Sequence, residues 1–344
     1  MRALSKSFAA LLIGTASLAA TGDEVLAPPE HRRGVEQTFL TFPEWFLVFS
    51  PAEYADYVKE RTPTEFPFIG HIRQFWQSYG KVYGATREGG YPFNLRYHVM
   101  IMVIGLSTTA EYGLRSAYET LVGRLSDLAA GHGLTEEDRF GAAVAQDYVD
   151  FIRVLPWYEY DFTGKLARLW RETSLWGPDP LRKWERKYAL TTEYAIKAAY
   201  GWLIKKGTKA SYDAPLLVTA VVVDRLPNGA ERALPDLKVL ERYPDRSVLV
   251  LAPRYDAFMR YAYPLAGGGA NFREIAGNRS IILISVLAPR DWSDYGDAKV
   301  LFEQPIITQP ETKRVALVVP VASLAAALKG LPARRARLEH VFDY

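Results

Sequence analysis

The chain has 344 residues, 49% of them hydrophobic and 24% charged, which is ordinary globular material and enough for two domains of usual size. A net charge of +3 gives no whole-molecule argument for nucleic acid as a partner, and the lack of cysteine excludes disulfides, thiolate nucleophiles and cysteine-ligated zinc.

The N-terminal stretch MRALSKSFAALLIGTASLAATGDE sets Arg2 and Lys6 before an uncharged run from Phe8 to Gly22, with Asp23 and Glu24 after it. This is the layout of a secretory signal, and its most apolar part, Phe8 to Ala20, suits an h-region and is short for a span of about twenty residues. Residues 1–22 are therefore expected to be a signal peptide, cleaved after Ala19 or Gly22, or a retained membrane anchor. Either outcome leaves the rest of the chain outside the cytoplasm, periplasmic or membrane-anchored. Residues 23–34, with Pro28, Pro29, His31, Arg32 and Arg33, read as an exposed, extended linker.

Residues 35–210 read as a mainly helical, aromatic-rich region. Thr41 with Glu44 and Ser50 with Glu53 have capping-box spacing, and Pro43 and Pro51 suit first helical turns, so two short helices are expected there. The stretch from Phe66 to Arg96 yields no clear elements. Tyr97 to Ala110 is uncharged, and fourteen helical residues cover about 21 Å against a hydrocarbon core of about 30 Å. Extending that helix to Gly123 would bring Glu111, Arg115 and Glu119 into the slab. A long helix, buried at its start and amphipathic afterwards, is the simpler reading; a paired, tilted or interfacial membrane helix is the alternative. Thr135 caps a helix that should stop before Pro156, and Asp179-Pro180 opens another.

On that last helix Leu181, Trp184, Tyr188, Ala195 and Trp202 share one face, while Arg182, Lys183, Arg186 and Lys187 crowd others. From Phe151 to Ala210 twelve basic residues stand against six acidic ones, and five of the eight tryptophans fall in the same stretch. Basic residues interleaved with aromatic rings suit an anionic membrane surface, which makes Arg182, Lys183, Arg186, Lys187, Trp184 and Trp202 the candidate membrane-surface residues. The competing reading is a helical core with a solvated charged face.

Near Tyr212 the pattern changes to short β-branched runs, separated by turn signals such as Pro227-Asn228-Gly229. Strands are expected at PLLVTAVVV, SVLVLAP, SIILISVLAP, KVLFEQPIIT, RVALVVPV and ARLEHVFDY, with helices at Tyr255 to Ala266, continuing toward Ala276, and at Ala322 to Leu328. Residues 211–344 therefore form a mixed α/β domain, and the order from Ser247 matches a ferredoxin-like split βαβ sandwich. The repeated VLAPR at Val250 and Val286 supports a common sheet. The fold class is α+β.

Chemistry is not legible. His31, His71, His98, His132 and His340 make no compact zinc signature, GLSTT and GNRSI miss the serine-hydrolase elbow, and Gly267 to Gly269 fit neither phosphate loop. No cofactor or metal is expected, and Asn278 heads a glycosylation sequon. The reading is an exported or membrane-anchored cell-envelope protein with a non-catalytic binding or scaffold role at the membrane surface. Alternatives are an envelope hydrolase with a carboxylate- or histidine-based site between the regions, or a carrier of an amphiphilic small molecule.

Overall fold

A computed structural model describes residues 25–131, 133–211 and 216–343; the signal segment and His132 lie outside them. The fold is α+β, with helices first and antiparallel sheets after. The helices are α1 (Glu36–Val58), α2 (Phe68–Glu88), α3 (Leu95–Tyr118), α4 (Arg124–Leu128), α5 (Glu136–Ile152), α6 (Phe162–Glu172) and α7 (Pro180–Ser211). A π-helical turn, Glu119–Gly123, joins α3 to α4 without a break.

The expected pair of short helices is one helix, α1, with Pro43 and Pro51 inside it. Each interior proline costs about 3 kcal/mol or more, but α1 buries Phe39, Phe42, Phe46 and Phe49 in one continuous cluster. The residues read as caps serve tertiary contacts instead. Thr41 Oγ1 meets Tyr97 Oη at 3.1 Å, and Ser50 Oγ lies 2.9 Å from His71 Nδ1. The capping box at Thr135 is present, with Asp138 as its partner, and α7 begins at Pro180 as expected.

The second half holds β1 (Val218–Val223), α8 (Ala230–Ala233), β2 (Lys238–Arg242), β3 (Val248–Pro253), α9 (Asp256–Gly267) and β4 (Phe272–Ile275). These are followed by β5 (Ile281–Pro289), β6 (Lys299–Pro305), β7 (Thr312–Pro320), α10 (Leu324–Gly330) and β8 (Arg337–Val341). All six expected strands form. Two more form that the sequence pattern does not show: β2 is charged and mostly exposed, and β4 stands where a continuation of α9 is expected.

The strands make two four-stranded antiparallel sheets, β2-β3-β1-β4 and β6-β7-β5-β8, and not one ferredoxin-like sheet. Apart from the one-turn α8 between β1 and β2, both halves run strand, strand, strand, helix, strand, and both use the same spatial order. The sequence carries a trace of this repetition: Asp236-Leu-Lys-Val-Leu-Glu241 leads into β2 and Asp297-Ala-Lys-Val-Leu-Phe-Glu303 into β6. The irregularities match too, since pairing slips between Val239 and Glu241 in one half and between Val300 and Phe302 in the other. The two VLAPR segments lie in different sheets, on β3 and β5, so they do not mark a common one.

Phe258 and Leu265 of α9, Leu324 and Leu328 of α10, and Val250, Ile284 and Leu317 of the strands share one core. The remaining faces of both sheets are also covered. Residues 25–27 lie against Ala220, Val222 and Leu249 of the first sheet, and the amides of Leu26 and Ala27 donate to the Glu274 carboxylate at 3.1 and 2.6 Å. This part of the expected linker is thus docked, not extended into solvent. Leu283, Phe302, Ala316 and Phe342 of the second sheet join the aromatic cluster of α1, so helices and sheets share apolar core. Asn278 is buried and its amide donates to Ile281 O at 2.6 Å, so the sequon is not presented to a glycan-transferring enzyme.

Candidate functional site

Helix α7 places the sequence-derived candidates on the expected faces and turns those faces the opposite way. Arg182 and Lys187 are 1% exposed and Lys183 and Arg186 3%, whereas Leu181, Trp184, Tyr188 and Trp202 face outward. The four basic residues are therefore not a membrane-facing or solvated surface. The reason is a set of carboxylates waiting on neighbouring helices. Arg186 donates from Nη1 and Nη2 to both oxygens of Glu119, at 2.9 and 3.1 Å, and from Nε to Glu185 at 2.7 Å. Arg182 reaches Asp138 at 3.0 Å, Glu185 at 3.1 Å and Ser126 Oγ at 3.0 Å. Lys183 Nζ meets Glu136 and Glu137 at 3.0 and 3.1 Å, and Lys187 Nζ donates to Thr173 Oγ1 and O at 2.6 and 3.0 Å.

Further along, Lys197 Nζ pairs with Glu193 at 2.8 Å and Glu111 at 3.0 Å, and Arg115 with Glu193 at 3.4 Å. Read along the two helices, the pairs 111 with 197, 115 with 193 and 119 with 186 run in opposite order, so α3 and α7 lie antiparallel with a ladder of charge between them. The π turn belongs to this ladder, since it brings Glu119, Gly123 and Ser126 to the α7 side.

At Arg186 and Glu193 burial opposes the charge, and the partners prevail. Desolvation pulls the Arg186 guanidinium down, but Glu185 and Glu119 hold it above its ordinary value. Burial likewise pushes Glu193 up, yet Arg115 and Lys197 bring its carboxyl down to about 2. Such pairs fix geometry more than they add stability, because desolvation consumes most of the attraction.

With its charge turned inward, the bundle shows an apolar exterior. Along α3 and α4 the outward positions include Val99, Met102, Val103, Leu106, Leu114, Leu121, Leu125 and Leu128, with Leu114 at 73% and Leu128 at 84% exposure. The beginning of α3, expected to be buried, is exposed along this stripe. Helix α7 adds Leu181, Trp184, Tyr188, Ile196, Trp202 and Leu203, and the two stripes approach where the Tyr118 and Tyr188 rings lie 6.4 Å apart. Lys206 Nζ sits 4.0 Å from the Trp202 ring centroid, at the far end of α7. Among the described residues no helix is long and apolar enough to cross a membrane.

Beneath the ladder, between α1, α3, α5, α6 and α7, lies a cavity of about 80 Å³. Its lining includes Arg115, Lys197, Glu111 and Glu193 together with Ser50, Tyr112, Tyr54, Tyr148, Tyr194 and Phe162. Gly141 and Ala145 line it from α5.

A serine, a histidine and a glutamate do converge. Ser50 Oγ lies 2.9 Å from His71 Nδ1, and His71 Nε2 lies 3.7 Å from Glu53 Oε2. The arrangement does not make a nucleophile. Ser50 sits in a helix interior at 1% exposure and also shares its hydroxyl with Tyr112 at 2.8 Å. Burial, with Arg314 adding to it, pushes His71 down to about 3, so it is a poor proton acceptor. Glu53 is engaged by Arg314 at 3.0 Å, which also binds Glu339. The chain Tyr112–Ser50–His71 and the pair Glu53–Arg314 stitch α1, α2 and α3 to the second sheet. His340 is fully buried against Trp45, with ring centroids 3.6 Å apart. Among the described residues no group of three or more histidines or carboxylates could hold a metal ion.

No protein-family model matches the chain, and neither a curated protein nor a solved structure resembles it.

The sequence did group Leu181, Trp184, Tyr188 and Trp202 correctly. It missed Glu119, Glu136, Glu137 and Asp138 as their neighbours' counter-charges. A usable signal was present: basic residues at 182, 183, 186 and 187 follow the i, i+1, i+4, i+5 spacing of one contiguous helix face, about 140° wide, which is the width of a buried face.

Proposed function

We propose that this is an exported or membrane-anchored cell-envelope protein with a non-catalytic binding or scaffold role, seated on a membrane through the outward face of α3, α4 and α7. One observation carries the reading: the charges of α3 and α7 pair with one another and with α5 inside the bundle, while the faces turned outward are apolar over most of two long helices. Soluble monomers rarely expose large apolar patches unless these are interaction or membrane sites. The exposed Trp176, Trp184 and Trp202, with Lys206 against Trp202, are the residue types that settle at the boundary between headgroups and acyl chains. The N-terminal run from Phe8 to Ala20, as signal or anchor, fits delivery to that surface.

The attraction is hydrophobic, so its salt response is opposite to that of a basic patch. Protein lacking residues 1–22 should co-sediment with neutral phosphatidylcholine vesicles, and binding should persist from 0.1 to about 1 M salt, where the screening length falls from about 10 to about 3 Å. Protein that stays in the supernatant at every salt concentration overturns the membrane reading. A concentration-dependent dimer that ignores vesicles would assign the face to a second copy of the chain.

A further inference from the structure

We propose that the cavity between α1, α3, α5, α6 and α7 binds a small zwitterionic group, an ammonium and a phosphate or carboxylate a few bonds apart. The inference concerns the interior of the bundle and does not depend on the membrane reading. Size is the first constraint. The cavity measures about 80 Å³, roughly half the volume of the engineered dry cavity that holds a benzene ring. It takes a head of a few heavy atoms, with the rest of any larger molecule left outside. Among the lining residues the Glu111 side chain is 39% exposed, while Ser50 and Tyr112 are 1% and 6%.

Charge is the second constraint. Glu111, Arg115, Glu193 and Lys197 line the cavity with two charges of each sign. A ligand with one net charge would leave one charge of this partly buried set uncompensated, which is costly. The four groups already balance one another, so a guest without net charge is tolerated, and among such guests a zwitterion alone offers an ammonium to the carboxylates and an anion to Arg115 and Lys197. The unpaired polar atoms agree. Among the described residues the hydroxyls of Tyr54, Tyr148 and Tyr194 make no hydrogen bond to protein, although all three rings line the cavity. A phenol donates to a phosphate or carboxylate oxygen, and its ring face attracts an ammonium. An apolar guest would use neither the hydroxyls nor the charges, and a polar site of this kind is not one that stays dry.

The free head and the lipid that carries it share this chemistry, and the test separates them. Isothermal titration is run on the chain without residues 1–22, using O-phosphoethanolamine, ethanolamine and inorganic phosphate. Vesicle binding is then compared between phosphatidylethanolamine and phosphatidylglycerol, each mixed into phosphatidylcholine. O-phosphoethanolamine should bind at least about tenfold more tightly than either fragment. Ala145→Leu, which adds bulk to the α5 lining, should abolish that binding. Tyr148→Phe, which keeps the shape and loses one donor, should weaken it severalfold and serves if Ala145→Leu does not fold. A preference for phosphatidylethanolamine vesicles, lost in these variants, assigns the head to a lipid; tight free binding without that preference assigns it to a soluble zwitterion. Inorganic phosphate binding as tightly as the zwitterion, or both variants binding as the parent does, overturns the proposal. Vesicle binding that survives such a result leaves the membrane reading intact, and zwitterion binding without any vesicle attachment removes the membrane reading alone.

Discussion

The Arg186 guanidinium holds both oxygens of the Glu119 carboxylate, at 2.9 and 3.1 Å, across 67 residues of chain, with both side chains buried. This two-point contact ties the π turn after α3 to the middle of α7. It also decides which side of α7 faces in.

Removing one partner should be severe. Arg186→Met leaves Glu119 and Glu185 buried with an excess of negative charge, and the expected loss is about 3–5 kcal/mol of folding stability in a urea titration. A loss below about 1 kcal/mol would mean that these carboxylates reach water, and that the inward orientation of the basic stripe is wrong.

The outward residues should behave in the reverse manner. Leu114→Gln with Leu121→Gln, and separately Trp202→Ala, should each change stability by no more than about 1 kcal/mol, because these side chains already face solvent. Vesicle co-sedimentation by the same variants should fall clearly. Large destabilisation with unchanged vesicle binding would show that the stripe packs against protein.

Glu53 gives a pH prediction whose sign can be worked out. Burial raises its carboxyl from an ordinary 4.5 to about 6, against the pull of Arg314. The folded state therefore binds a proton more tightly than the unfolded state, and this group's contribution grows as pH falls from about 6.5 toward 4.5. His71 beside it works the other way: its folded value near 3 lies below the unfolded 6.5, so its contribution is lost as pH falls through the same window. The comparison of parent with Glu53→Gln isolates the first effect. Relative to the parent, the variant should be more stable at pH 7 than at pH 5, by a difference on the order of 1 kcal/mol. A difference that is flat between pH 5 and 7 would show that Glu53 titrates as an ordinary carboxyl.

The second half of the chain should not stand alone. A fragment from 216 to 344 would expose Leu283, Phe302, Ala316 and Phe342, which pack against α1, and would leave Arg314 without Glu53. It should bind a hydrophobic dye and aggregate or melt without cooperativity. A soluble fragment with a sharp thermal transition would show that the sheets need no support from the helices.

Local chemistry was enough to read the α+β class, the six principal strands, the Thr135 cap and the start of α7. Each depends on near neighbours in sequence: alternation within a strand, a hydroxyl three residues before an acid, a proline tolerated at a first turn. Helical period also sorted α7 into an aromatic stripe and a basic stripe. It could not say which stripe faces in, because periodicity records which residues share a face and carries no sign. Tertiary structure supplied the sign through Glu119, Glu136, Glu137 and Asp138, carboxylates on elements far away in sequence that make the burial of Arg182, Lys183, Arg186 and Lys187 tolerable. The same limit hid the pairing of strands into two matching sheets and the passage of α1 through two prolines, since both are decided by contacts between residues distant in the chain. A side chain's own character sets the cost of burying it, and only the fold can bring the partner that offsets that cost.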